Sequence, residues 1–216
     1  MIEPAIESEL KLRADGDAPL TELAVRQTLG PARLGRPHTV DELDRYLDTA
    51  GLRLASLGWA CRLRTREGGT TLSLKGPAEH AAGAALHRRP ELNGPATPGT
   101  DPADWPPSEA RARLLAMAGA EPLVERFALA QERTEREVRW GGERAGTLSL
   151  DRVQVLHREV ELGRLHLVEL ELDPVAAVAG LDAEPLSLAL QEITGLRLDP
   201  MSKLEHALEM IGAAPQ

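Results

Sequence analysis

Apolar and polar residues alternate strictly over much of this chain. Over residues 6–13, Ile6, Ser8, Leu10 and Leu12 alternate with Glu7, Glu9, Lys11 and Arg13, the period-two signature of a strand. The period returns over residues 59–66, where Trp59, Cys61 and Leu63 stand opposite Arg62, Arg64 and Arg66. Glu67-Gly68-Gly69 then predicts a hairpin turn, and residues 70–75 the return strand with Thr71, Ser73 and Lys75 on one side. Residues 86–92 place His87, Arg89 and Glu91 together. Residues 123–140 read as one long strand or two, followed by a Gly141-Gly142 turn. Residues 147–156 put Thr147, Ser149 and Asp151 on one face, and residues 165–173 set Glu169, Glu171 and Asp173 against Val168, Leu170 and Leu172.

Helices fit between these runs. Asp17 and Pro19 open a predicted helix over residues 17–29, and Ser108 caps one over 108–117. Helical spacing closes the chain at 186–193 and 202–211. Residues 36–48 fit either a helix, through Val40, Leu43 and Leu47, or an extended segment; residues 93–107, rich in Pro and Gly, read as a loop. About eight strands with intervening helices predict a β-dominated α+β fold, an eight-stranded antiparallel closed β-barrel with peripheral helices. No internal repeat or linker divides it, so residues 1–216 are expected to form one domain.

Composition narrows the function. Hydrophobic residues make up 42% of the 216, enough for a core, and no run approaches the roughly 18 apolar residues of a membrane span. The acidic N-terminal residues do not resemble a secretory signal, and the single cysteine, Cys61, excludes a disulfide framework or a multi-cysteine zinc site. A reduced, cytoplasmic protein is expected. A net charge of −9 and only five aromatic residues argue against nucleic-acid binding. The six histidines lack metal-ligand spacing. There is no Gly-rich phosphate loop or nucleophile elbow. Only three of the 25 basic residues are lysines, Lys11, Lys75 and Lys203, and each falls in a motif below.

The charged faces of these strands either meet water, the usual arrangement, or line an interior. One set is acidic: Glu7 and Glu9, Glu91, Asp151, Glu169 and Glu171. Another is cationic: Arg62, Arg64 and Arg66, Lys75, Arg89 and Arg133. Residues two apart on a strand project to one side about 6.5–7 Å apart. Two Glu-x-Glu pairs facing each other would therefore make an all-oxygen site for Mg²⁺ or Mn²⁺. Cations lining the same cavity would suit a chelated polyanion.

In this order the motifs resemble the CYTH superfamily, the triphosphate tunnel metalloenzymes, over residues 5–206. Glu7-Ser8-Glu9-Leu10-Lys11 matches its Glu-x-Glu-x-Lys signature. Tyr46-Leu47-Asp48-Thr49 and the later Arg62-Leu63-Arg64 resemble its Tyr-x-Asp-Thr … Leu-Arg-x-Arg block; Leu72-Ser73-Leu74-Lys75 and Arg89-Pro90-Glu91 resemble later strands. Leu148 to Asp151, Glu169-Leu170-Glu171 and Ser202-Lys203 follow in family order.

The resemblance implies a tunnel inside the barrel and metal-dependent hydrolysis of inorganic triphosphate to pyrophosphate and phosphate, with Mg²⁺ or Mn²⁺. Glu7, Glu9 and Glu171, with Glu169 nearby, are the implied ligands of a first metal, and Glu91 and Asp151 of a second that activates water. Lys11, Arg62, Arg64, Lys75, Arg89, Arg133 and Lys203 are the implied phosphate contacts, and Lys11, Glu91 and Asp151 the residues closest to catalysis. Arg136 or Arg139 could take the place of Arg133, and Arg53 either joins the site or holds a loop. Where many members carry another acid after the equivalent of Asp151, this chain has Arg152, Val153 and Gln154. Alternatives are a class IV-type adenylyl cyclase, a hydrolase of organic triphosphates such as thiamine triphosphate or ATP, and a binding module without turnover. A small-molecule triphosphate is the expected partner, with no nucleic acid or membrane, for a monomer or homodimer.

Overall fold

The alternating segments assemble into one large antiparallel sheet. The structure, a computed structural model, describes residues 5–77, 86–173 and 183–213, with the backbone alone at 5–7 and 86–88. Its strands are β1 Ala5–Ala14, β2 Thr28–Leu29, β3 Ala32–Leu34, β4 His38–Thr49, β5 Ala60–Arg66, β6 Gly69–Lys75, β7 Leu86–Ala96, β8 Leu123–Trp140, β9 Glu143–His157, β10 Val160–Leu172 and β11 Leu196–Leu198. The described helices are α1 Ala18–Val25, α2 Arg53–Ser56, α3 Glu109–Ala118, α4 Glu184–Gln191 and α5 Lys203–Ala213.

The strand order is β2-β3-β8-β4-β5-β6-β7-β1-β10-β9, with β11 beside β1 and a further pairing of β8 with β9. This corrects the expected eight-stranded closed barrel: the strands form an eleven-stranded antiparallel sheet. Length is the reason. At 18 residues β8 outruns its partner β4, and its Val138 and Arg139 pair with β3 instead. The end of β1, from Leu12 to Ala14, likewise takes on β11. The three added strands have two or three residues each, too few for alternation to register.

Several local expectations are also revised. The helix expected over 17–29 stops at Val25, and Thr28 and Leu29 form β2. Asp17 makes no backbone cap; its carboxylate accepts the Thr21 hydroxyl at 2.9 Å. The ambiguous segment 36–48 is extended and belongs to β4, β7 runs on into the expected loop as far as Ala96, and residues 123–140 are a single strand. Ser108 caps α3 as expected, its Oγ accepting the Arg111 N–H at 3.1 Å. The Gly141-Gly142 turn has φ of 61° and 92°, values that side chains resist and that join β8 to β9 tightly.

Apolar surface packs the outside of the sheet in two places. Leu10, Leu12, Leu148, Leu150, Val168 and Leu170 pack with α1 and α4, and Leu63, Leu72, Leu74 and Trp105 pack with α3. A third cluster shares the face of the sheet that carries the charged rows. Phe127, Leu129, Val153, Val155, Leu165 and Leu167 fill one end with Ala207, and Leu204, Met210 and Ile211 of α5 pack against them. The inward rows therefore change character along the strands. Leu165 and Leu167 give way to Glu169 and Glu171, and Val155 and Val153 give way to Asp151 and Ser149. One end of the interior is an apolar plug, and charge occupies the rest.

Candidate active site

The charged end is a cavity of about 570 Å³. Among the described residues eight cations line it: Lys11, Arg62, Arg64, Arg66, Lys75, Arg89, Arg133 and Lys203. All three lysines of the sequence are among them. Five carboxylates line it too, Glu9, Glu67, Glu91, Glu169 and Glu171, and three more acids, Glu42, Asp44 and Asp151, are buried among the same side chains. The faces that could have met water are interior faces.

β1 and β10 contribute the central acids. Glu9 is directly opposite Glu171, and Lys11 opposite Glu169, so strand register brings the two motifs together. Glu9 Oε1 lies 3.0 Å from Lys11 Nζ and accepts Arg89 Nη2 at 2.9 Å. The backbone of Glu7 pairs with Arg89 in β7; the side chains of Glu7 and His87 lie outside the described residues. On β7, Glu91 accepts a hydrogen bond from Ser73 Oγ, with Lys75 Nζ at 3.8 Å and Arg62 Nη2 at 3.9 Å.

The β8–β9 pairing sets Arg133 opposite Asp151. Arg133 holds Asp151 through Nε at 2.7 Å and Nη2 at 2.8 Å, and reaches Glu169 Oε2 at 2.6 Å. Lys203 Nζ donates to Asp151 at 2.6 Å and to Glu169 at 3.1 Å. Asp151 is completely buried, and burial is the largest influence on its pKa, pushing it up. Attraction to Arg133 and Lys203, with the Arg133 hydrogen bonds, outweighs burial and holds it below the usual carboxylate range. Glu169 follows the same balance, its burial overcome by Lys203, Arg133 and Lys75, and lies well below that range.

Lys203 is placed by a reciprocal cap. The Ser202 N–H donates to Glu205 Oε2 at 2.6 Å and the Glu205 N–H to Ser202 Oγ at 3.2 Å, starting α5 at Lys203. Buried His206, one turn on, pairs through Nε2 with Asp199 at 2.6 Å, and the Asp199 N–H donates to the Lys11 carbonyl at 2.9 Å. That chain of contacts ties the helix carrying Lys203 to the strand carrying Glu9 and Lys11. A positive charge at a helix N-terminus opposes the helix dipole, and Asp151 and Glu169 offset it.

The three candidate arginines of β8 separate clearly. Arg133 faces the cavity. Arg136 points to the opposite side and donates to the carbonyls of Leu23 at 2.7 Å, Arg26 at 2.5 Å and Gly35 at 2.6 Å. Arg139 pairs with Glu137 at the surface. Arg53 is half exposed, 3.7 Å from Glu121 and outside the cavity lining. Buried Cys61 has its thiol pKa pushed up by burial and stays protonated, as a small apolar side chain.

Sequence reading missed Glu42, Asp44 and Gln131. The signal for Glu42 and Asp44 was the alternation Val40, Glu42, Asp44, Tyr46, hidden while residues 36–48 also fitted a helix; Gln131 is two residues before Arg133 on β8. Asp44 accepts Arg64 Nε and Nη2, both at 2.7 Å. Gln131 Nε2 bridges Glu42 at 2.6 Å and Asp44 at 3.1 Å.

A sequence profile of the CYTH domain matches residues 5–206. The chain belongs to the CYTH domain family. Solved structures agree with this CYTH fold. HpAC1 from Hippeastrum, a candidate adenylyl cyclase whose structure reveals a dominant triphosphatase activity, aligns with a TM-score of 0.65 at 21% identity, over 94% of this chain and 95% of that one. A candidate adenylate cyclase from Bacillus halodurans aligns at 0.57 and 18% identity, covering 93% and 97%. PH1819 from Pyrococcus horikoshii aligns at 0.55 and 17%, covering 95% and 98%. No curated protein matches the sequence of this CYTH domain. Among its described residues no helix is long and apolar enough to cross a membrane.

Whether the CYTH residues suit a divalent cation is a question of donor chemistry. Glu9 and Glu171, in register and both lining the cavity, supply hard oxygen donors. Among the described residues no three acids or histidines converge on one point. Two carboxylates suffice for Mg²⁺, which completes its shell with water and phosphate oxygens, so the pair fits. Glu9 also holds Lys11 and Arg89 through Oε1, as Asp151 and Glu169 hold Arg133 and Lys203.

Proposed function

We propose that this CYTH domain hydrolyses inorganic triphosphate to pyrophosphate and phosphate with a divalent cation. The carrying observation is the cavity, where eight cations are gathered on an otherwise acidic chain. Tripolyphosphate carries about four to five negative charges and asks for several charge-assisted contacts at short range. Lys11, Arg62, Arg64, Lys75, Arg89, Arg133 and Lys203 are in place to bind its oxygens.

Charge balance supports a metal requirement. Among the described residues, the lining carboxylates with Glu42, Asp44 and Asp151 match the eight cations in number, so the described charges come close to balance before a polyanion enters. Glu9 and Glu171 would hold a divalent cation, which would supply the missing positive charge and a water of lowered pKa. The chain's own residues position the phosphates, which is the larger part of phosphoryl-transfer catalysis. Asp151, gripped by Arg133 and Lys203, serves by holding those two cations. Glu91, beside Lys75 and Arg62 and bonded to Ser73, is the acid best placed to accept a proton.

The preference for an inorganic substrate rests on the scarcity of aromatic surface. Tyr46 is the one aromatic among the described lining residues, and its ring stacks on Phe127 at 4.6 Å between centroids. With one face covered, it offers little platform for a nucleobase. The test is a comparison of substrates at saturating Mg²⁺ and Mn²⁺. Orthophosphate release is expected to be faster from inorganic triphosphate than from ATP, without cyclic AMP. Cyclic AMP formed from ATP, or preferential hydrolysis of ATP, would overturn the reading.

A further inference from the structure

Asp44 is wholly buried and does not line the cavity, yet it holds two arginines that do. It sits in β4 directly opposite Arg64 in β5. Its oxygens take the Nε and Nη2 edge of Arg64 at 2.7 Å each, and Oδ2 also accepts Arg62 Nη1 at 3.4 Å. Gln131 ties the same oxygen to Glu42, whose Oε2 lies 3.2 Å from Arg64 Nη2.

A buried ion pair is a weak device for stability, because desolvation of the charges consumes most of the attraction. The β4–β5 ladder already joins these strands. What the bidentate bond adds is orientation: it fixes the plane of the Arg64 guanidinium and leaves the Nη1 side for the cavity. A lysine at that place would be held only as a point charge. We propose that Asp44 is a positioning residue that pre-sets Arg62 and Arg64 for the phosphate oxygens of the substrate. The inference rests on the reading that the cavity takes a triphosphate. Preorganised donors lose less freedom when the ligand binds, so Asp44 acts on affinity more than on the chemical step.

The test combines calorimetric titration of inorganic triphosphate with steady-state kinetics, both with Mg²⁺, in wild type, Asp44→Asn, Arg64→Ala and the double variant. Asp44→Asn is expected to raise KM and Kd about tenfold, with kcat changed less than about threefold. Because Asp44 works mainly through Arg64, held at 2.7 Å, and less through Arg62 at 3.4 Å, the loss in the double variant should fall well short of the product of the two single losses. A wild-type Kd in Asp44→Asn, or losses that multiply in the double variant, would overturn the proposal. If Asp44→Asn does not fold, Gln131→Leu replaces it: it frees Asp44 from Glu42 and should raise KM about threefold at an unchanged melting temperature. An unchanged KM there would also overturn it. Failure of the wild type to bind or cleave triphosphate would remove the functional reading itself, whereas wild-type turnover with an unaffected Asp44→Asn removes only this inference.

Discussion

Charge in the cavity is organised residue by residue, and most of the charged groups there have an opposite at hydrogen-bond range. Glu9 is at the centre, touching Lys11 and Arg89 and standing in register with Glu171. Glu9→Gln keeps the shape and removes the charge, so we expect kcat to fall by about a hundredfold or more with the melting temperature nearly unchanged. Full activity in that variant would remove Glu9 from the proposed metal site. Much at this scale was legible in the sequence. Glu9, Lys11, Arg62, Arg64, Lys75, Arg89, Arg133, Glu169, Glu171 and Lys203 all line one cavity. Arg66, which could equally have decorated the exterior, lines it as well. Burial depth was not legible, because alternation reports which side a residue faces and not how far from water it lies. Hence Asp151 proved completely buried under Arg133 and Lys203, and Asp44 went unnoticed.

At the scale of elements, strands were recognised where side-chain period and length coincided. β1, β5, β6, β9 and β10 have long alternating runs; β2, β3 and β11 have two or three residues and depend on partners far away in sequence. β4 carries apolar Leu43 outward and acidic Glu42 and Asp44 inward, the inverse of an ordinary half-buried strand, and this blurred its period. β8 is the junction of the sheet, and buried Arg136 fastens it to the end of α1 and the end of β3 through backbone carbonyls. Arg136→Ala strands several of these acceptors away from water. We expect a loss of about 2–4 kcal/mol in urea unfolding, with KM for triphosphate unchanged because the side chain faces away from the cavity. A changed KM with unaltered stability would place Arg136 in the site instead.

Taken as a whole, the molecule gathers its described charges in one cavity, beside the apolar cluster packed under α5. Asp44, Asp151 and Glu169 all have carboxyl pKa values held below their ordinary range, in each case because neighbouring cations outweigh the effect of burial. In the unfolded chain these acids return to about 4, so below that pH the unfolded state binds more protons than the folded one. Stability from these groups is therefore complete at neutral pH, and it is lost as pH falls from the ordinary carboxylate range toward their lower folded values. The urea midpoint should hold from pH 7 to about 5 and drop steeply by about pH 3. A midpoint that does not move over that span would mean the buried pairs contribute no linkage.

The central claim is that this charged cavity cleaves triphosphate once a divalent cation completes its charge. The most direct measurement is orthophosphate release from inorganic triphosphate by the purified chain, with Mg²⁺, with Mn²⁺ and after chelation. Release is expected to require the metal, stop with chelator and return when metal is restored. A folded, metal-supplied protein that releases no orthophosphate, or one whose release is indifferent to chelation, would contradict it.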